Sequence, residues 1–158
     1  VFLEHEILYN QKTLVPEEDN FTVPLGKANI LNEGKDLTII GFSMSIKRIL
    51  DAMPEISKLG LNPEIIDLRT IKPLDEETIF NSIKKTNRVV IVEDGWGNTS
   101  FGSHLSHLIQ SNCFDHLDSE IIKVSGKDVP MPYAENLEKL ALPSTYDIIE
   151  AVKKVTYR

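Results

Sequence analysis

Short apolar runs recur along the chain, and they determine the class of fold that we predict. Three of them are Leu37–Phe42, Glu64–Leu68 and Arg88–Glu93, each rich in β-branched and aliphatic side chains. Their apolar positions are nearly continuous rather than alternating, which is typical of strands buried on both faces of a parallel sheet. A fourth strand is predicted over Ile121–Val124, and a short edge strand near Ala28–Leu31.

Helical patterns fill the intervals between these runs. A first helix is predicted to begin at Ser43 or Ser45, to bend at Pro54 and to end at Gly60. A second begins at Asp75, whose carboxylate can accept hydrogen bonds from the free N–H groups of the first turn. Because strands alternate with helices, we predict a three-layer α/β fold with an open, mostly parallel sheet.

Two further helices complete the predicted fold. One covers Gly102–Gln110, and the last begins at Ser144, where Asp147 completes the pattern of a capping box. The apolar stripe of the last helix comprises Ile148, Ile149, Val152 and Val155, and we predict that Ile149 and Val152 are buried against the sheet.

Residues 1–36 are predicted to be an interdomain connector and lead-in, and residues 37–158 to be the folded domain. The connector is polar, is punctuated by prolines and glycines, and carries the acidic run Glu17–Asp19. The first residues, Val1–Tyr9, contain neither an initiator methionine nor the pattern of a signal peptide. We therefore expect the chain to belong to a longer protein.

Composition and charge exclude several classes of protein. The 158 residues carry a net charge of −7, so the basic surface of a nucleic-acid-binding protein is lacking. No apolar run approaches the roughly 18 residues that a membrane span needs. The single cysteine, Cys113, cannot form an internal disulfide, which favours a reducing compartment. An acidic surface favours basic partners instead.

The glycine-rich turn Gly95–Gly102 lies between a predicted strand and a predicted helix, where dinucleotide-binding proteins hold a diphosphate. Its third glycine comes too late for the G-x-G-x-x-G spacing, and the carboxylates of Glu93 and Asp94 would repel phosphate. We therefore predict a simple strand-to-helix turn.

Arg69, Ser43 and the acids Glu93 and Asp94 all follow predicted strands, so we expect them at the carboxyl edge of the sheet. This set is compatible with a small anion pocket around Arg69. The pattern favours instead an ion pair between Arg69 and one of the acids that joins two loops.

The sequence gives little support for a metal site or for a nucleophilic cysteine. His104 and His107 lie one turn apart on a predicted helix and His116 follows, but a further ligand at a defined spacing is lacking. Cys113 lies in no nucleophile motif, and we predict that it is a small, partly buried apolar side chain.

Several longer segments carry a resemblance to a known family. Asp67–Asp75 (DLRTIKPLD) and Lys85–Glu93 (KTNRVVIVE) resemble the carboxyl-terminal domain of the transketolase superfamily. Within it, Ser125–Ala134 (SGKDVPMPYA), followed by Asn136–Glu138 and Leu142–Pro143, is similar to the β subunits of pyruvate dehydrogenase E1 components. The resemblance covers nearly the whole chain.

The resemblance implies a role in an α2β2 enzyme. Such enzymes use thiamine diphosphate and magnesium to decarboxylate pyruvate oxidatively, and they acetylate the lipoyl groups of the E2 component. In the family, the catalytic residues of the β subunit lie in its amino-terminal half, and the diphosphate and magnesium motif lies in the α subunit. The resemblance therefore implies that this chain holds no catalytic, cofactor-binding or metal-binding residue and is inactive alone. It also implies a bacterial cytoplasm or, in a eukaryote, the mitochondrial matrix.

The resemblance further implies partners and contact residues. The expected partners are the E1 α subunit, a second E1 β subunit and the peripheral subunit-binding domain of E2. The family's contact acid lies in the motif matched here by Phe114–Asp118 (FDHLD), and its other contact is the terminal carboxylate. These map onto Asp118 and, if the protein ends at Arg158, onto the carboxylate of Arg158. A basic partner module suits an acidic subunit, although the Arg158 side chain places a cation beside that carboxylate.

Two alternatives stay open. One is the β subunit of another 2-oxoacid dehydrogenase or of acetoin dehydrogenase, which shares the architecture but differs in the proline and tyrosine stretch of Ser125–Ala134. The other is an autonomous α/β module that binds a small anion or nucleotide through Arg69 and the Gly95–Gly102 turn.

Overall fold

Five strands form one sheet in the computed structural model, which describes residues 1–158. The strands are β1 Asn29–Asn32, β2 Thr38–Gly41, β3 Glu64–Asp67, β4 Val89–Trp96 and β5 Ile122–Gly126. Their order across the sheet is β1-β3-β2-β4-β5. β1 runs antiparallel to β3, and every other pairing is parallel. The predicted open, mostly parallel sheet is confirmed.

Five α-helices and two 3-10 helices accompany the strands. The α-helices are α1 Met44–Lys58, α2 Glu76–Thr86, α3 Phe101–Cys113, α4 Glu135–Ala141 and α5 Thr145–Val155; the 3-10 helices are Glu6–Asn10 and Phe114–His116. Helices α1 and α5 pack on one face of the sheet, and α2 and α3 pack on the other. The chain therefore has the three layers that its sequence predicts.

The central strands are buried on both faces. All four residues of β2 are buried, as are Val89–Glu93 of β4. The core cluster on the α1 and α5 face contains Ile39 and Ile65, and the cluster on the other face contains Ile40 and Ile66. Neighbouring residues enter different clusters because successive side chains of a strand point to opposite faces of the sheet.

Predicted caps are found at several helix ends. The Asp75 carboxylate accepts a hydrogen bond from the first turn of α2, and Ser144 and Asp147 form the predicted capping box of α5. Gly60, with a φ of 73°, follows the end of α1. Ser43 holds the N-cap position of α1 but makes no side-chain cap hydrogen bond, so the cap predicted from its hydroxyl is not formed.

Some element bounds differ from the expectation. β4 extends to Trp96 instead of ending at Glu93. Helix α1 ends at Lys58, two residues before the predicted stop at Gly60. Helix α4 lies where the sequence pattern predicts no helix, and Ala141 is its only buried residue. The apolar side chains of α4 therefore do not belong to the core of this chain.

Part of the predicted connector joins the sheet. β1 is the edge strand expected near Ala28–Leu31, and the N–H group of Ala28 donates to the Asp75 carboxylate at 3.0 Å. The residues before β1 contain one regular element, the 3-10 helix Glu6–Asn10. The boundary between connector and domain at residue 36 stays a prediction.

Most residues of the predicted apolar stripe of helix α5 are completely buried. Ile148 and Val152 have no exposed surface, whereas Ile149 is only partly buried beside the same core cluster. The expected burial is therefore confirmed for Val152, and Ile149 packs against the same cluster while staying partly exposed.

We predict that Ile148→Ala lowers the free energy of unfolding by about 2–5 kcal/mol, because it leaves a cavity in a fully buried cluster. Lys154→Ala, on the exposed side of the same helix, should change it by no more than about 0.5 kcal/mol. Urea denaturation followed by circular dichroism measures both values. Equal midpoints for the two variants would show that α5 presents a different face to the sheet.

Candidate docking surface

The amino edge of the sheet carries the residues predicted for docking. Helices that connect parallel strands run back against them, so α1, α2, α3 and α5 all end at the edge where the parallel strands begin. Asp118 lies at this edge, between the 3-10 helix Phe114–His116 and β5, and Arg158 follows α5. The fold therefore brings both predicted contact residues to one edge of the sheet.

Asp118 is fixed through its backbone, while its side chain is exposed. Its N–H group donates to the carbonyl oxygen of Asn87 at 2.8 Å, and its carbonyl oxygen accepts from the Tyr157 hydroxyl at 2.8 Å. The Asn87 side chain also donates to the carbonyl oxygen of His116 at 2.7 Å. The Asp118 carboxylate is 56% exposed and lies 3.4 Å from Nη2 of Arg88. The loop is thus held in place with its carboxylate accessible to a partner.

Arg158 is linked to Asp118 through Tyr157, its neighbour in sequence. Tyr157 has a φ of 56° and directs its hydroxyl to Asp118, whereas Arg158 donates from Nη1 to the carbonyl oxygen of Leu59 at 2.5 Å. The Arg158 guanidinium is therefore not paired with Asp118. Sequence reasoning did not identify Tyr157, because a contact between residues so distant in sequence leaves no local pattern.

At the end of β4, the carboxyl edge of the sheet is occupied by contacts within the chain. Glu93 is 2% exposed, and its Oε2 accepts from the N–H group of Gly102 at 2.9 Å, at the start of α3. The Ser100 hydroxyl also donates to Glu93, and Nζ of Lys123 lies 3.7 Å from Oε1. This carboxylate takes the place at the helix N-terminus where a phosphate would bind. The arrangement favours the predicted strand-to-helix turn over a nucleotide site.

The predicted ion pair of Arg69 is not formed. Asp94 pairs instead with Arg48 of α1 at 2.9 Å. Glu93 accepts its hydrogen bond from the start of α3. Arg69 is exposed, has a φ of 55°, and donates its backbone N–H to the Asp67 carboxylate at 3.1 Å. Burial raises the pKa of Asp67, an effect that this hydrogen bond only partly offsets. The expectation that Arg69 joins two loops is therefore wrong.

Ser43 lines a cleft of about 450 Å³ that Leu8 also borders. The charged residues around this cleft are Lys47, Asp51 and Asp67, and Lys47 pairs with Asp51 at 2.6 Å. Two carboxylates and one paired ammonium group do not favour an anion. The cleft thus gives no support to an anion-binding module.

The histidines and the cysteine do not converge on a metal site. No group of three or more His, Cys, Asp or Glu side chains lies close enough together to hold a metal ion. Cys113 is buried at the end of α3, and burial raises the pKa of its thiol. None of the helices combines the length and the apolarity needed to cross a membrane.

An exposed apolar surface follows β5, at the opposite edge of the sheet from Asp118. It consists of Val129, Met131, Tyr133, Leu137 and Leu140, whose exposed fractions range from 46% to 105%, with Trp96 beside them. Nε1 of Trp96 donates to the carbonyl oxygen of Val129 at 2.9 Å, which joins this loop to β4. We call this set the α4 surface. The sequence pattern did not predict the α4 surface, because it did not predict helix α4.

Comparison with known proteins identifies the family of this fold. The sequence profile described as "Transketolase, C-terminal domain" matches residues 26–148. The chain belongs to this family. Its fold agrees with a solved structure described as a split gene transketolase, inactive β4 tetramer, with a TM-score of 0.74 and 25% identity, over 90% of this chain and 46% of that one. The expected transketolase C-terminal fold is confirmed.

Curated relatives of this transketolase C-terminal domain are β subunits of pyruvate dehydrogenase E1 components. The subunit of Rickettsia felis is 53% identical over 157 residues, which cover 99% of this chain and 48% of that protein. The mitochondrial subunit of Dictyostelium discoideum is 46% identical over 161 residues, which cover 100% of this chain and 45% of that protein. The chain spans about half the length of these relatives.

We predict that Gly102 accepts no larger residue without loss of stability. A Cβ at this position would lie 2.6 Å from Oε1 of Glu93, so Gly102→Ala should lower the free energy of unfolding by about 1–3 kcal/mol. Gly95→Ala is the matched control, because a Cβ there meets no atom within 4 Å and should leave stability nearly unchanged. Thermal denaturation measures both. Equal effects would contradict the packing of Glu93 against α3.

Proposed function

We propose that this chain is the carboxyl-terminal domain of a pyruvate dehydrogenase E1 β subunit and serves subunit assembly and E2 docking. The observation that carries the proposal is 53% identity to such a subunit over 99% of the chain. The proposed parent enzyme is an α2β2 heterotetramer that oxidatively decarboxylates pyruvate and acetylates the lipoyl groups of E2. Its proposed location is the bacterial cytoplasm or the mitochondrial matrix, and curated relatives come from both kinds of source.

The residues of this chain do not fit the thiamine diphosphate and magnesium of the proposed parent enzyme. The glycine-rich turn that resembles a phosphate loop has the Glu93 carboxylate at its helix N-terminus, and no cluster of metal ligands is present. A carboxylate in that position repels a diphosphate. We therefore assign the cofactor to other parts of the parent enzyme and no catalytic step to these residues, and we expect the chain to be inactive alone.

We assign subunit assembly to the α4 surface. Helix α4 has seven residues, far fewer than an isolated helix needs to be stable in water, and the chain itself buries only Ala141 of it. Leu137 and Leu140 lie one turn apart, so they share a helix face, and Tyr133 and Met131 continue the apolar area. Exposed apolar side chains that follow one another so closely in the sequence make this segment a candidate interface. We propose that another E1 subunit covers it.

We predict that Leu140→Glu disrupts the assembled enzyme. A carboxylate at the centre of an apolar interface should weaken assembly at least about tenfold, because its burial leaves a charge without a partner. Leu140 is 70% exposed, so the variant chain should keep its fold. Light scattering after size-exclusion chromatography measures the fraction of heterotetramer as the protein is diluted.

Lys139→Glu is the matched control for this experiment, since it changes charge on the same helix at an exposed residue paired only with Glu135. It should leave the heterotetramer intact. Equal dissociation of both variants, or of neither, would remove the α4 surface from the assembly interface.

We assign docking of the peripheral subunit-binding domain of E2 to Asp118, with Arg158 at the border of the same surface. The backbone bonds of Asp118 fix the loop, so little conformational freedom is lost when a partner binds. The chain carries a net charge of −7, which suits a basic partner and accelerates its association.

We predict that Asp118→Asn weakens binding of the E2 subunit-binding domain to the assembled enzyme at least about tenfold, because a basic group of the partner loses its ionic contact. Turnover of pyruvate with an artificial electron acceptor should not change. Asp115→Asn is the control, since Asp115 is exposed in the same loop and forms no salt bridge. Surface plasmon resonance at two salt concentrations measures the affinities. Equal affinities for the two variants and the unmodified enzyme would refute docking at Asp118.

A further inference from the structure

Arg88 lies beside the proposed docking acid and has an unusual set of contacts. Its backbone is part of the sheet region, since its carbonyl oxygen accepts from the N–H group of Thr38 at 2.8 Å. Its Nη2 lies 3.4 Å from Oδ2 of Asp118, and its Nε is buried without a hydrogen-bond partner. The side chain is 29% exposed. Arg88 is thus anchored at one end, with its charge close to Asp118.

We propose that Arg88 is an intramolecular competitor for the Asp118 carboxylate and holds the affinity of this surface for a basic partner below its maximum. The inference rests on the proposed docking role of Asp118. In this proposal Arg88 sets the affinity of docking and its dependence on salt. It is not needed to hold the loop that contains Asp118 in position.

The position of the loop does not depend on Arg88. Asn87 and Tyr157 hold the backbone of Asp118 through two hydrogen bonds of 2.8 Å, and a third bond ties Asn87 to His116. By contrast, the Arg88 contact of 3.4 Å is longer than an ordinary hydrogen bond, and it is not the bidentate contact that arginine makes with a carboxylate in strong pairs. Its main effect is therefore to neutralise part of the Asp118 charge.

Arg88 is the one cation of this surface that pairs with Asp118. Lys154 pairs with Glu120 at 2.7 Å, and Arg158 donates to a backbone carbonyl oxygen at the end of α1. An incoming lysine or arginine of the partner would therefore have to share or displace the Arg88 contact. Like charges brought together at an interface oppose binding, so the presence of Arg88 weakens docking.

The charge of Arg88 can be removed while most of its volume is kept. Arg88→Met retains an unbranched apolar stem and also removes the buried Nε that lacks a partner, so the variant should remain stable. Arg88→Lys retains the positive charge and serves as the matched control. The two variants separate the effect of the charge from the effect of the side-chain packing.

The test measures binding of the E2 subunit-binding domain to the assembled α2β2 enzyme by surface plasmon resonance at low and physiological salt. Arg88→Met should bind about two- to fivefold more tightly at low salt, which is the range expected from an exposed ion pair. The gain should shrink at higher salt because exposed charges are screened. Arg88→Lys should bind as the unmodified enzyme does, and the melting temperatures of all three should agree.

The same measurements in an Asp118→Asn background separate docking at Asp118 from competition by Arg88. There, Arg88→Met should have no effect on affinity, since the carboxylate for which it competes is absent. If Asp118→Asn alone leaves affinity unchanged, the docking assignment fails, and the inference fails with it. If Asp118→Asn weakens binding but Arg88→Met fails to strengthen it, docking stands and the competitor role is overturned. Equal weakening by Arg88→Met and Arg88→Lys, with lower melting temperatures, would make Arg88 a packing residue and overturn the inference.

Discussion

Burial of the parallel strands on both faces is the constraint on which the rest of the structure depends. Strands β2 and β3 send apolar side chains to both sides of the sheet, so helices must cover both sides. Each connecting helix must then run back along the sheet, and four helices end at the edge where the parallel strands start. Asp118 lies at that edge because α3 ends there and β5 begins there. The place of the loop that contains Asp118 thus follows from the way the core is covered.

The same constraint leaves the carboxyl edge of the sheet open, and this chain uses that edge to hold itself together. Open α/β sheets usually bind ligands at this edge. Here Glu93 bonds to the start of α3, and Asp94 pairs with Arg48 of α1. These contacts join strand β4 to helices on both faces of the sheet. The two acids at the end of β4 are therefore committed to contacts within the chain.

The sequence predicts those parts of the fold that local pattern determines, and it misses those that depend on distant contacts. The continuous apolar runs predict the buried strands, and the residues Ser144 and Asp147 predict the start of α5, because a capping box is a contact between near neighbours. The partner of Asp94 could not be predicted, since Arg48 reaches it from a different helix. The difference between complete burial of Ile148 and partial burial of Ile149 depends on the exact rotation of α5 against the sheet. The same holds for the candidate site. The resemblance predicts Asp118, whereas the contacts of Arg88 and Tyr157 with Asp118 are known only from the folded structure.

The two proposed surfaces lie at opposite ends of β5, and this placement bears on how they work together. Asp118 precedes the strand and the α4 surface follows it, so a strand of five residues, about 16 Å long, separates them. The two proposed surfaces therefore share no residues. Their energetics also differ, since the α4 surface is apolar and insensitive to salt, whereas the Asp118 surface is ionic and screened by salt. A partner on the α4 surface would also stabilise a helix that the chain alone buries at only one residue. Permanent assembly thus suits the apolar end of β5, and reversible docking suits the charged end.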